Sequence, residues 1–226
     1  MILAVALILI FIVLFAPQWW ASRTLRHYAR ERPEIPGTGG ELARHLLDRH
    51  GLGSVTIEAT PAGGDHYDPV KRSIHLSPMV LSGKSLTAIA VAAHETGHAL
   101  QHAQAWPPLL LRQGLIRLVQ LSEKAGAVLL IALPFMTLLT RAPGIGASLL
   151  ILGLGSLALP VLVHLVTLPV ELDASHRALA ILASGYVPQR ELPALRRILN
   201  ACALTYLSAS LATLLNFWRW IRILRR

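Results

Sequence analysis

Residues 91–102 read VAAHETGHALQH, an apolar run that carries His94, Glu95 and His98 as an H-E-x-x-H motif. On an α-helix, positions i and i+4 lie about 40° apart and roughly 6 Å along the axis, so two imidazoles at that spacing can reach one tetrahedral cation. Glu95 stands beside the first imidazole. A carboxylate there can take a proton from a water that zinc has acidified to a pKa of about 7 and pass it to a leaving amine.

The surroundings are helical. Leu86, Ile89, Ala90, Ala93, Gly97 and Leu100 are spaced to form a buried stripe beside the two histidines. Ser85 can act as N-cap and Pro107-Pro108 must stop the helix, which predicts a helix over residues 85–105 with the motif in its middle. The small residues Ala92, Ala93 and Gly97 allow close packing.

Composition sets the second constraint. The chain has 226 residues, of which 54% are hydrophobic and only 15% charged, and its mean hydropathy is +0.53. These values predict an integral membrane protein. Residues 1–20 hold no charged side chain and end in Trp19-Trp20, the pairing expected at a lipid interface; without a basic leader or small-x-small cleavage site they read as an uncleaved anchor. Two further apolar blocks, residues 125–140 and 146–170, are separated by a short turn sequence and predict a transmembrane hairpin, with Pro134 and Pro160 kinking its two helices. A fourth block, residues 201–220, either spans or lies in the interface with Arg219, Arg222, Arg225 and Arg226 toward anionic lipid.

Arg23, Arg26, Arg30 and Arg32 follow the first block, which places the next segment on the cytoplasmic side. A hairpin returns the chain to the side it left, so residues 171–200 share that side with the H-E-x-x-H helix. The net charge of +9 clusters at the ends of apolar blocks and not along one polar face, so lipid headgroups, not nucleic acid, are the expected partner. The lone Cys202 excludes an intrachain disulfide and a cysteine zinc site.

Between the first block and the motif lies the only stretch with the grammar of a soluble domain. Thr38-Gly39-Gly40-Glu41 makes a capping box opening a helix to about His50, closed by Gly51. Residues 55–59 alternate as a strand, a turn follows at residues 61–65, and residues 71–77 read as another strand. A two- or three-stranded sheet beside the motif helix is expected, with an outer strand able to hold an extended peptide. Asp68 before Pro69 is expected to bond its own backbone.

Two imidazoles do not complete a zinc site. His102 continues the i, i+4, i+8 series but lies about 12 Å along the axis from His94, too far to share an ion. Glu171 is the stronger candidate, at the opening of a helix expected to run to Ala183, where the hairpin delivers it to the correct side. Asp173 competes for the same role, and is otherwise an acceptor orienting a ligand histidine.

His66-Tyr67-Asp68-Pro69, the strand at residues 71–77, the helix from Ala88 to Ala99 and Glu171-Leu172-Asp173-Ala174-Ser175 together resemble the YugP-like neutral zinc metallopeptidases of bacterial membranes, over most of the chain. The resemblance implies a membrane-bound zinc endopeptidase in which His94, His98 and Glu171 hold one zinc ion and Glu95 is the catalytic base. A wider likeness runs to HtpX-like and CAAX-processing membrane proteases, where an aspartate stands four residues after the glutamate ligand. Here that position is Ser175, and the nearby acid is Asp173.

The expected fold is a mainly α integral membrane protein with three to four transmembrane helices and a small α+β, zincin-like catalytic region. The divisions are an anchor at 1–20, a catalytic region at 21–112, a linker helix and hairpin at 113–170, a third-ligand helix at 171–200 and an apolar helix with basic tail at 201–226. The expected activity is peptide-bond hydrolysis through a zinc-activated water. Peptides or proteins, membrane proteins included, are the substrates, in the bacterial cell membrane with the catalytic region facing the cytoplasm. The rivals are a non-catalytic, zinc-stabilised assembly or chaperone-like protein and a zinc hydrolase of lipids or other amides; a structural site has no need of Glu95 and fills all four positions with protein ligands.

Overall fold

Thr38 and Glu41 bond reciprocally: Thr38 Oγ1 accepts from the Glu41 backbone N–H at 3.2 Å and Glu41 Oε2 accepts from the Thr38 N–H at 2.7 Å. This box starts helix α2 (Gly39–Arg49), and Gly51, with φ +71°, turns the chain out of it. The computed structural model describes residues 2–140 and 142–214. Ahead of α2 runs α1 (Ile2–His27); after it come β1 (Thr56–Ala59), β2 (His66–Asp68), β3 (Ser73–Leu76) and the single turn α3 (Pro78–Leu81).

The three strands form one sheet in the order β1-β3-β2, with β1 parallel and β2 antiparallel to β3. Among the described residues β2 therefore pairs with a strand on one side only, its outer edge being unpaired there. Asp68 Oδ1 accepts from the N–H groups of Val70 and Lys71 at 2.8 and 3.1 Å, which closes the turn into β3.

α4 (Leu86–Ala103) carries the H-E-x-x-H motif and is capped by Ser85, whose Oγ accepts from the Ala88 N–H at 3.1 Å. The sequence predicts a buried stripe, but residues 86–101 are buried on every side. α2, α6, α7 and the sheet all pack on α4, and its alanines and glycine leave room for them. At its end the Trp106 N–H reaches back to the Gln101 carbonyl and the Ala105 N–H to the His102 carbonyl, both at 3.0 Å, with Ala105 left-handed at φ +48°. Pro107 then opens α5 (Pro107–Thr140), at the helix start where its missing N–H costs nothing.

α5 packs along α6 (Pro143–Ile181). α6 is followed by two short turns, Leu182–Tyr186 and Gln189–Glu191, and by α7 (Leu192–Leu214). Glu171 thus sits in the interior of one long helix, not at the opening of a new one. Val170, Glu171, Ala174, Ser175, Ala178 and Leu182 are buried, the i, i+3, i+4, i+7 seam by which α6 faces α4 and α7.

The fold is mostly helical with a small sheet, but three to four transmembrane helices are not found. Among the described residues no single helix is long and apolar enough to cross a membrane; only Pro107–Gly126 and Ile131–Thr140 reach that length together, across a 43° bend. The break precedes Pro134, whose ring removes a backbone hydrogen bond and crowds the carbonyl four residues earlier. The apolar blocks read from the sequence also end within helices carrying charge: α5 holds Arg112, Arg117, Glu123 and Lys124, and α6 continues into Glu171 and Asp173. Of the fourth block, residues 201–214 belong to α7, while residues 215–226, with the basic tail, lie outside the described residues.

Candidate metal centre

His94 and His98 stand one turn apart on α4, their ring centroids 4.8 Å apart and their planes at 85°. α6 crosses them with Glu171, whose Oε2 lies 3.1 Å from His94 Nε2 and 3.2 Å from His98 Nε2. One ligand atom from each of the three residues lies within 4.8 Å of the others, so the group could hold a metal ion. Zinc bonds of about 2.0–2.1 Å in a tetrahedron separate ligand atoms by about 3.3 Å, close to the two nitrogen–oxygen distances. All three side chains are buried, at 1%, 5% and 1% exposure for His94, His98 and Glu171.

The protons on the two rings are fixed from behind. Gln101 Nε2 donates to the Val170 carbonyl at 2.9 Å and to Asp173 Oδ2 at 2.7 Å, so its Oε1 can only accept, and it accepts from His98 Nδ1–H at 2.9 Å. Ser175 Oγ gives its one proton to the Leu199 carbonyl at 3.1 Å. Toward His94 Nδ1, at 3.2 Å, it therefore accepts as well. With those Nδ1 protons in place, a neutral ring carries its lone pair on Nε2, facing the Glu171 carboxylate. Lone pairs facing one another at this separation call for positive charge between them, a proton or a metal cation.

The electrostatics agree. Burial works against a proton on His98, but the Glu171 and Glu95 carboxylates outweigh it and hold its pKa above the ordinary value. Burial likewise works against an ionised Glu171, yet His98 and His94 keep its carboxyl far below the usual range. Glu95, 2% exposed, has its pKa raised, chiefly by burial and further by the Glu171 and Asp65 carboxylates, against the opposing pull of His94 and His98. Its Oε2 is buried and has no hydrogen-bond partner, which leaves its lone pairs uncommitted.

A cavity of about 90 Å³ opens onto His98 and Glu171 between two walls. One is β2, with His66, Tyr67 and the following Pro69; the other is the start of α5, with Leu109, Arg112, Gln113 and Ile116. Arg112 Nη1 lies 3.5 Å from Glu171 Oε1.

Asp173 lies outside the three-residue group, engaged by Gln101 and by Arg177. It reaches His98 only through Gln101. His102 is likewise apart, its Nδ1 paired with the Tyr67 hydroxyl at 2.8 Å. Sequence reasoning missed Gln101, Ser175 and Arg112. The first two were within reach of the spacing rule applied to the histidines: Gln101 is i+3 from His98, and Ser175 is i+4 from Glu171 on the same helix face.

Residues 3–225 match the model of a family described as "Putative neutral zinc metallopeptidase". The chain is also 37% identical over 215 residues to the protein named "Putative membrane protease YugP" of Bacillus subtilis (strain 168), across 92% of this chain and 90% of that protein. No solved structure matches it.

Proposed function

The chain belongs to the family of neutral zinc metallopeptidases, and on that premise we propose that it hydrolyses peptide bonds with one zinc ion held by His94, His98 and Glu171. The observation that carries this reading is the convergence of two Nε2 lone pairs and one carboxylate oxygen on a common point, with both Nδ1 protons already engaged. Bound there, zinc would supply a Lewis acid for the scissile carbonyl and acidify the attacking water.

The chain's own residues do the rest. Glu95 takes the proton of the attacking water on its unpartnered Oε2 and delivers it to the departing amine, and its burial suits it to hold that proton in between. Gln101 and Ser175 keep the rings turned and correctly protonated. Three protein ligands leave the cleft side open, as a catalytic site requires and a structural site does not. The free edge of β2 borders the cleft and supports binding of an extended peptide as an added strand.

The relative in Bacillus subtilis carries the name membrane protease. Exposed Trp19 and Trp20 followed by Arg23, Arg26, Arg30 and Arg32 support work at the cytoplasmic face of the bacterial cell membrane, on peptides or proteins found there.

The test combines metal analysis with cleavage of unfolded protein. Wild type should carry one zinc per chain and cleave; Glu95→Gln should keep the zinc and lose at least about 100-fold in rate; Glu171→Ala should lose the zinc. Undiminished cleavage by metal-loaded Glu95→Gln would sink the mechanism, and a wild type that binds zinc tightly but cleaves nothing would favour a structural role for the metal.

A further inference from the structure

Three buried polar atoms beside the cleft have no hydrogen-bond partner: Arg112 Nε, Gln113 Nε2 and Glu171 Oε1. A buried donor without an acceptor is destabilising, and a fold does not normally tolerate it twice in adjacent residues. The placement is systematic. Leu109, Arg112, Gln113 and Ile116 follow i, i+3, i+4, i+7, so one face of α5 forms the cleft wall, apolar at both ends and polar in the middle. Pro107 fixes where the helix begins and hence which face is presented.

Charge balance for Glu171 accounts for only part of this. Arg112 Nη1 approaches Glu171 Oε1 at 3.5 Å, which engages one corner of a guanidinium with five N–H donors and leaves Nε unused. It gives Gln113 nothing to do. Both side chains border the same cavity as His98 and Glu171, on the wall opposite the strand edge that would hold a peptide.

We propose that Arg112 and Gln113, whose donors are closed off from water in the resting site, turn into the cavity when substrate enters and form the pocket that receives the scissile carbonyl oxygen as it gains negative charge, through Arg112 Nε–H and Gln113 Nε2–H. This rests on the zinc-peptidase reading and adds two substrate-contacting residues to it. A ground-state carbonyl is planar and neutral and bonds such donors weakly. As the carbonyl carbon becomes tetrahedral its oxygen turns anionic, and a guanidinium in a water-poor cavity then binds it far more strongly. The charge that Arg112 lends Glu171 in the resting site is shared with that oxygen during the reaction.

Full-length protein is tested with a peptide substrate and with a peptide phosphonamidate, a tetrahedral anion, whose binding is measured by calorimetry in the Glu95→Gln background so that the readout does not depend on turnover. Arg112→Gln should keep zinc, leave KM within about threefold, and lower kcat and phosphonamidate affinity together by about 100-fold. Gln113→Leu should do the same by about tenfold, and Arg112→Lys, which lacks the Nε donor, should rescue little. Loss of zinc from Arg112→Gln and Arg112→Lys would reduce Arg112 to a partner of Glu171 and overturn the assignment. Equal weakening of substrate and phosphonamidate, or no effect of Gln113→Leu, overturns it too. If the wild type itself neither cleaves peptide nor binds the phosphonamidate while holding zinc, the peptidase reading is what has failed, and the pocket falls with it.

Discussion

Gly97 and Ala174 meet backbone to backbone: a Cβ built on Gly97 would stand 2.8 Å from the Ala174 carbonyl oxygen and 3.3 Å from its Cα. The hydrogen atom of Gly97 lets α4 and α6 approach closely enough for Glu171 to reach both histidines. Gly97→Ala must push the helices apart or bend one of them. Overpacking of this kind costs about 1–3 kcal/mol. Urea unfolding should register that loss, and zinc affinity should fall with it because the ligands sit on the two helices being separated. Unchanged zinc affinity would mean that the seam at Gly97 does not set the distance between the ligands.

Ser175 accepts from His94 and donates to the Leu199 carbonyl. Ser175→Ala should weaken zinc about tenfold, the lower end for loss of a partner behind a metal ligand. Ser175→Asp should not repair this. A carboxylate could accept from His94 Nδ1–H, but it would face the Leu199 carbonyl without a proton to offer, so the variant should unfold earlier than Ser175→Ala in a thermal melt. An aspartate variant as stable as wild type would mean that the Leu199 bond does not matter.

Ala105 adopts φ +48°, at which an L side chain crowds the adjacent carbonyl. Its N–H and that of Trp106 hold the end of α4, so the conformation is imposed by the helix ending and not by the residue. Ala105→Gly should raise stability by about 0.5–1 kcal/mol, the relief of strain exceeding the added freedom of the unfolded chain. Denaturant titration of the two proteins decides it, and a destabilised glycine variant would contradict the strain.

Zinc should change how stability depends on pH. In chelated protein His98, held above its usual 6.5, contributes stability that is complete below 6.5 and is lost as pH rises through its folded value. Glu171, held below 4.5, contributes stability that is complete above 4.5 and is lost as pH falls. Buried Glu95, held above 4.5, contributes stability that is complete below 4.5 and is lost as pH rises through its folded value. The chelated protein should therefore melt highest near pH 4.5, lower in acid, and lower again as pH rises past 6.5. With zinc saturating, the alkaline decline should vanish, because the cation replaces the proton on His98. Parallel melting curves with and without chelator would rule this out.

The local signals were legible. The Thr38–Glu41 box, the Ser85 cap and the halt at Pro107 each depend on a few neighbouring residues and emerge in the structure at the expected positions. His94, His98 and Glu171 also meet; spacing gave the pair, but the acid arrives from the interior of α6 and not from the opening of a helix after a transmembrane hairpin. What the sequence misjudged were properties that depend on partners. Apolar content suggested spans, but apolar residues at 146–170 belong to a helix that continues into buried charge, and residues 125–140 belong to one that bends before Pro134. Counting hydrophobic residues cannot distinguish a surface meant for lipid from one meant for another helix. The supports behind the rings were missed because polar residues inside a helix look alike until the neighbouring helix is in place.

Glu171 is separated from the histidines by more than seventy residues of chain, and the serine behind His94 is itself bonded to the Leu199 carbonyl in the last described helix. A ribosome would release the motif helix long before either arrives. The three-residue group is therefore incomplete throughout most of synthesis, and competence to hold a metal comes only with the closing helices.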